Sequence, residues 1–303
     1  MYDDLTDKPA FSRYEKNCSY LCGYNDVIFG ITEDEPTSAI YLYTKNGEDC
    51  ELDDSRQIEG GSLCHISYLH ESSLLVGACY GTGNIFSVKV GIDKKRFCSE
   101  ITYYTQGEIQ GRAHCVTASA DETILYSANI MQDRIYRYHI AKSGLEQVDY
   151  LQLPLGIGPR HILPISSGCY YVITEYSNEI LLIKDNILAD KYSTVATDFC
   201  GESFGSTMCV TANKKFLYVG NRGENRIAVF LINPDFSLTN IGRFACGNFP
   251  RHIALCDDDR YILCANQKGN NVSIFELDKE TGMMIAKTGE IPFQSPSFVM
   301  EYK

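Results

Sequence analysis

The chain has 303 residues, 44% of them hydrophobic, with 13 Cys, no Trp and a formal net charge of −12. That length supports one large or two medium domains, while the acidic balance excludes a phosphate-backbone binder, which needs a basic surface to release counterions. No apolar run is long enough to cross a bilayer and "MYDDLTDKPA" lacks the basic and apolar regions of a secretory signal, so a cytoplasmic protein without nucleic-acid or membrane partners is expected.

Along the chain, one unit recurs. "NCSYLCGYNDVIFGITEDEPTSAIYLYT" opens a module anchored near Cys18, and "CHISYLHESSLLVGACYGTGNIFSV" opens the next from Cys64. "AHCVTASADETILYSANIMQDRIYRYHI" follows from Ala113, then "GPRHILPISSGCYYVITEYSNEILLI" with His161. "TMCVTANKKFLYVGNRGENRIAVFLI" starts at Thr207, and "FPRHIALCDDDRYILCANQKGNNVSIFEL" carries His252. Anchors near 18, 65, 114, 161, 208 and 252 give steps of 47, 49, 47, 47 and 44. Each module has a short apolar run, a polar turn such as "NKK" or "DDD", a β-rich run, a polar cluster and another β-rich run, which predicts strands joined by hairpins. A fourth run follows, as in "LEQVDYLQL" and "LTNIGRFAC". Four strands per module at this period, with no helical pattern, predict an all-β propeller in one domain over 1–303. "SPSFVMEYK" supplies a first strand only and the N-terminal segment has room for little more than one strand, so the closing blade, from 296–303 plus that segment, is expected to be incomplete.

The thirteen Cys lie singly inside apolar runs and no CxxC occurs, which predicts reduced core thiols and no metal site. "GESFG" at 201–205 fits GxSxG, but a loop feeds a strand there instead of a strand feeding a helix, so Ser203 is not expected as a nucleophile. "GTGN" at 81–84 lacks the third glycine of a dinucleotide loop, and no cofactor is expected.

In a propeller blade the antiparallel second strand returns to the mouth where the first began. From Arg160 to Glu175, from Thr207 to Arg222 and from Arg251 to Asn266 the separation is 15 residues, as it is from His114 to Asn129; two short strands and a hairpin use up that length. His114, Arg160, His161, Glu175, Asn221, Arg222, Arg251, His252, Asn266 and Gln267 are therefore expected at one channel opening. His161 and His252 are equally read as packing between blades, and His65 and His139 as structural or surface residues.

"GPRHI" followed by "TEYSNEI", then "LYVGNRGENRIAVF" and "PRHIALCDDDRYILCANQKGNNVSIFELDKETG", resembles the seven-bladed propeller lactonases, which include propeller-type 6-phosphogluconolactonases and fungal carboxymuconate lactonizing enzymes. The resemblance runs from "NCSYL" to "SPSFV" and implies seven blades of four strands. It also implies that the family's functional His, Arg and Glu fall on His114, Arg160, Glu175 and Arg222, with Arg251 as a further candidate. Three departures stand out. Only His114 is kept in "GRAHCV", the acid-Ile-His of the fifth blade is "TMCV", and most of the usual opening strands are absent.

Lactone hydrolysis needs a water, a base and donors for the oxyanion. Next to a guanidinium a carboxylate is a weakened base, whereas His titrates near working pH, so His114 is the expected base and Arg160 and Arg222 hold an anionic group and the carbonyl. Asn221, Asn266, Gln267, Arg251, His161 and His252 are the substrate-binding candidates. The expected partner is an anionic small molecule, a phosphorylated or carboxylated lactone, bound by a monomer or weak dimer. Cycloisomerisation of a carboxylated muconate and a non-catalytic binding propeller are the alternatives.

Overall fold

The computed structural model describes residues 16–47, 49–107 and 111–302. Every regular element among them is a β-strand. The first sheet runs β1 (Cys18–Tyr24), β2 (Val27–Thr32), β3 (Thr37–Asn46), β4 (Asp49–Glu59). The second holds β5 (Leu63–Leu69), β6 (Leu74–Cys79) and β7 (Ile85–Gly91), with β8 (Arg96–Phe97) and β9 (Thr102–Tyr104) both paired to β7, so its outer strand is broken in two. The third is β10 (Ala113–Ala118), β11 (Ile124–Asn129), β12 (Arg134–Ala141), β13 (Gly144–Gln152). The fourth is β14 (Pro159–Ser166), β15 (Cys169–Thr174), β16 (Glu179–Lys184), β17 (Ile187–Ser193). The fifth is β18 (Phe204–Val210), β19 (Phe216–Arg222), β20 (Arg226–Ile232), β21 (Leu238–Ala245), and the sixth is β22 (Pro250–Cys256), β23 (Tyr261–Asn266), β24 (Asn271–Leu277), β25 (Met284–Pro292). The chain divides into two compact units in the turn after β14, one ending at Ser167 and one beginning at Gly168.

Apolar content sets the place of each strand in its sheet. The second strands, such as "VIFGIT" in β2, "LLVGAC" in β6 and "FLYVGNR" in β19, are buried along their whole length. Strands covered on both faces read as continuous apolar runs, whereas a strand with one wet face alternates. Accordingly the outer strands β4 and β17 are mostly exposed. Within the first unit, Phe29 and Ile40 of the first sheet pack with Ile66 and Phe86 of the second, and Val76 and Ile85 of the second with Val116 and Tyr136 of the third. Within the second unit, Tyr218 and Val229 meet Ile253 and Phe275 in the same way. Full burial of one such side chain contributes roughly 2–3 kcal/mol.

The first strands share an irregularity that apolar patterning does not announce. In β1, β5, β10 and β22 the pairing with the next strand skips one residue: Ser19, Cys64, His114 and Arg251 respectively. In β18 it skips Ser206 and Thr207. A residue in a bulge is left out of the ladder and its side chain is re-aimed. The bulges also displace the expected facing pairs: Asn129 is opposite Ala113 and not His114, Arg222 is opposite Phe204 and not Thr207, and Asn266 is opposite Pro250 and not Arg251.

Among the described residues no strand follows Pro292, so the first strand expected at 296–303 does not form there. That segment instead lies along β22 by side-chain contacts. Phe298 stacks 4.2 Å from His252, whose Nδ1 accepts the Val299 N–H at 3.5 Å, and Glu301 accepts the Asp257 N–H at 3.0 Å. The other half of the predicted closing blade, the N-terminal segment, lies outside the described residues. No helix among them is long and apolar enough to cross a membrane.

Candidate functional site

The candidate residues fall into two clusters, one in each unit. In the first unit they gather at the starts of β5, β10 and β14. His65, His114, Arg160 and His161 are 7%, 6%, 3% and 9% exposed. The His161 ring lies 5.3 Å edge-on from His65 and 5.3 Å from His114, and Tyr20 of β1 is 4.4 Å from His65. On the other flank Tyr80 meets His114 edge-on at 6.0 Å, with the Arg112 guanidinium 5.2 Å over the Tyr80 ring. Cys115 Sγ lies 3.7 Å from His65 Nε2. Burial pushes the Cys115 thiol up to about 12, so it is a packing group and not a nucleophile. Cys64 likewise donates to backbone carbonyls of Ala78, Ala113 and His114 at 3.5, 3.6 and 3.5 Å.

His65 was not among the expected site residues, yet it belongs to this cluster. The repeat carries the signal: "CHIS", "RHIL" and "RHIA" place His65, His161 and His252 at one position of the module. Burial first, and then the charge of Arg160, hold His65 far below its ordinary value of 6.5, at about 3. Its Nδ1 is buried with no hydrogen-bond partner among the described residues. A folded-state value below the unfolded one means that the unfolded chain binds the extra proton. The stability this group contributes is present above about 6.5 and is lost as pH falls toward about 3. Between about pH 7 and pH 5 the loss should be about 2 kcal/mol. His65→Gln should remove that part of the slope, as read from urea midpoints at the two pH values.

In the second unit the cluster forms where β15 ends and β18, β19 and β22 begin or end. Glu175 follows the last residue of β15, and its carbonyl accepts the Gly205 N–H at 3.0 Å. Arg222 closes β19 and is buried; its Nη2 donates to the Gly205 carbonyl at 2.7 Å and lies 3.2 Å from Glu175 Oε2. Phe204 and Phe249 flank the guanidinium, with ring centroids 5.8 and 5.5 Å away. The structure thus joins Glu175 to Arg222, whereas the spacing within the module sets Glu175 against Arg160.

Asn221 and Asn266 are placed differently from the substrate-binding role expected of them. Both are 0% exposed. The Asn221 amide donates to the Thr194 carbonyl at 2.8 Å and to Glu224 at 2.9 Å, and its oxygen accepts from Thr194 Oγ1 at 2.8 Å. The Asn266 amide donates to Asn271 at 2.7 Å and to Ser273 at 2.9 Å. Together with Asn129, whose amide donates to Gln106 at 3.0 Å, they anchor the ends of β11, β19 and β23, satisfying polar groups that burial would otherwise leave costly. Gln267 is half-buried, and its backbone N–H donates to the Phe249 carbonyl at 3.0 Å. Arg251 is half-buried at the bulge of β22, and His252 packs on Phe298. Ser203 is buried beside β18, with no helix after it, which is not a nucleophile elbow. His139 is exposed on β12.

Comparison with known proteins agrees with the sheets. The family model "Lactonase, 7-bladed beta-propeller" matches residues 5–301. A 6-phosphogluconolactonase of Bacillus subtilis is 27% identical over 288 residues, covering 89% of this chain and 82% of its own. A periplasmic gluconolactonase of Pseudomonas aeruginosa superposes with a TM-score of 0.88 at 20% identity, covering 96% of this chain and 90% of that one. A putative 6-phosphogluconolactonase from Bacteroides fragilis gives 0.82 at 20% identity, covering 92% and 85%. At such identities the two structures speak for the fold, while the family match extends over nearly the whole sequence. This chain belongs to the seven-bladed β-propeller lactonases.

Proposed function

We propose that this protein hydrolyses a sugar-phosphate lactone, 6-phosphogluconolactone to 6-phosphogluconate. The observation that carries the reading is the buried Arg160 among three imidazoles at 3% exposure, in a chain whose net charge is −12. The buried guanidinium sets a fixed positive charge beside those rings in an otherwise acidic chain, which favours an anionic ligand there. The 6-phosphogluconolactonase from Bacillus subtilis, 27% identical, supports the same substrate class.

In this reading His114 takes a proton from the attacking water as the water adds to the ester carbonyl. Arg160, one position into β14 as His114 is into β10, meets the negative charge that develops on the carbonyl oxygen. The ring oxygen then leaves as an alcohol, accepting the proton from His114, and the product is the open carboxylic acid. Arg222, paired with Glu175 in the second unit, is a separate candidate that the family resemblance implies, with a planar fork that suits phosphate or carboxylate.

The test is hydrolysis of 6-phosphogluconolactone by the purified chain near neutral pH, with the spontaneous rate subtracted. Activity above the blank is expected, and His114→Ala and Arg160→Ala should each lose roughly 100-fold. A wild-type rate equal to the blank would leave a non-catalytic binding protein.

A further inference from the structure

We propose that Asp133 is the positioning residue of Arg160: its carboxylate fixes the loop 153–158, from which Arg160 enters the first unit's cluster, and so sets the rate of hydrolysis. This role rests on the lactonase reading and adds to it a residue that touches no substrate.

Asp133 is 5% exposed and closes the turn between β11 and β12. Its carbonyl accepts the Leu153 N–H at 2.9 Å and Gln152 Nε2 at 3.2 Å. Its Oδ2 accepts the Gly156 N–H at 2.6 Å and its Oδ1 the Gly158 N–H at 2.8 Å. One residue thus gathers three backbone donors of a six-residue loop, in which Pro154 has no N–H to give. Packing holds little of the tip, since Leu155 is 85% exposed and Pro154 and Gly156 are exposed with it. Gly158 is followed at once by Pro159, whose ring fixes φ, and then by Arg160, buried at 3% exposure. The carboxylate therefore sets the last free joint before the guanidinium.

The same position recurs along the chain. Asp133, Asn178, Asn225 and Asn270 each stand one residue before a third strand in a left-handed conformation, at φ +50, +53, +57 and +53, which Asn and Asp tolerate. Each carbonyl accepts the N–H of the residue just past the fourth strand: Leu153, Thr194, Cys246 and Phe293. The side chains of Asn225 and Asn270 then take one N–H of the loop beyond, that of Phe249 at 2.9 Å and that of Ser295 at 3.0 Å. Phe249 precedes Pro250 and Arg251 as Gly158 precedes Pro159 and Arg160. Asp133 differs in taking two loop N–H groups, one on each oxygen. An amide nitrogen in place of one oxygen would set a donor against a donor. The fold is served by a carboxamide in three modules, so the carboxylate before Arg160 answers to something else.

The experiment measures kcat, KM and urea midpoints for wild type, Asp133→Asn and Asp133→Ala, each with and without Arg160→Ala. Asp133→Asn should keep a midpoint near wild type and lower kcat for 6-phosphogluconolactone about tenfold, the scale of one hydrogen bond to a charged acceptor, with KM unchanged. Asp133→Ala should lose more, up to the loss of Arg160→Ala itself. A residue that acts through another adds nothing once the other is gone, so with Arg160→Ala in place neither substitution should lower kcat further. Equal losses in both backgrounds, a wild-type kcat in Asp133→Asn, or a kcat that falls only in step with the urea midpoint overturn the proposal while the lactonase reading stands. A wild-type rate no higher than the blank overturns the lactonase reading and this proposal with it.

Discussion

Arg222→Met is expected to cut kcat/KM for 6-phosphogluconolactone by roughly a thousandfold, the upper range for loss of one preorganised donor to developing or fixed negative charge. The size follows from how many things the guanidinium does at once. It is buried, it meets the Glu175 carboxylate at 3.2 Å, and it donates to the Gly205 carbonyl at 2.7 Å. Removing it leaves a carboxylate that is only 16% exposed without that cation, a situation that costs about 3 kcal/mol or more when the charge stays buried. Stability and activity must therefore be separated. Arg222→Lys keeps the charge but loses the fork that serves two acceptors together, and should fold close to wild type while recovering little of the rate. Near-wild-type turnover by Arg222→Lys would show that the planar geometry is irrelevant. Measuring both variants by steady-state kinetics and by thermal unfolding makes that distinction.

Gly223→Ala should unfold the second unit's site with no change of charge. Gly223 sits at φ +109, where an L side chain is strained, and a Cβ built on it would come 2.1 Å from the Glu202 carbonyl oxygen. Backbone on both sides of the collision has little room to move. Ser203 accepts the Asn178 amide at 2.8 Å, and the Gly223 N–H is tied to Asn225. Strain of this kind costs about 3 kcal/mol or more. The expected result is a lowered urea midpoint together with an activity loss comparable to that of Arg222→Met, because the displaced residue is the one that aims the guanidinium. An alanine variant with wild-type midpoint and rate would mean that the loop 202–203 yields at small cost.

Much of the fold was legible because the repeat is a consequence of packing. Each sheet must cover the apolar face of the next, so apolar runs return at a spacing fixed by four strands and their turns. The anchor positions near 18, 65, 114, 161, 208 and 252 lie within the first strands. What patterning could not show is the bulge. His114 and Arg251 leave the ladder while Cys115 and His252 stay in it, and nothing in an alternation of apolar and polar residues distinguishes those neighbours. The repeat sets His65 on the position of His161, but its burial among the rings of the site comes from packing that the pattern does not show. The broken outer strand of the second sheet escaped for another reason: at two and three residues, β8 and β9 are shorter than any pattern can resolve.

Strand length and hairpin geometry predict Glu175 against Arg160 and Arg222 against Thr207; the contact of Glu175 with Arg222 comes from the packing of neighbouring sheets, which no spacing within one module shows. The burial of Asn221 and Asn266 was not legible either, since a carboxamide at a strand end is chemically as fit for a ligand as for a turn. Their surroundings decide: Asn221 is met by Thr194, 27 residues earlier, and Asn266 by Asn271 and Ser273 just beyond it.

The skipped residues of the first strands have a consequence for how such a protein can change. A side chain outside its ladder can be exchanged without disturbing any rung, and here the first strands β1, β5, β10, β18 and β22 seat Ser19, Cys64, His114, Ser206 with Thr207, and Arg251 in those places. Hydroxyl, thiol, imidazole and guanidinium thus occupy equivalent seats at nearly constant backbone cost. New chemistry can be tried one seat at a time while the scaffold keeps its stability.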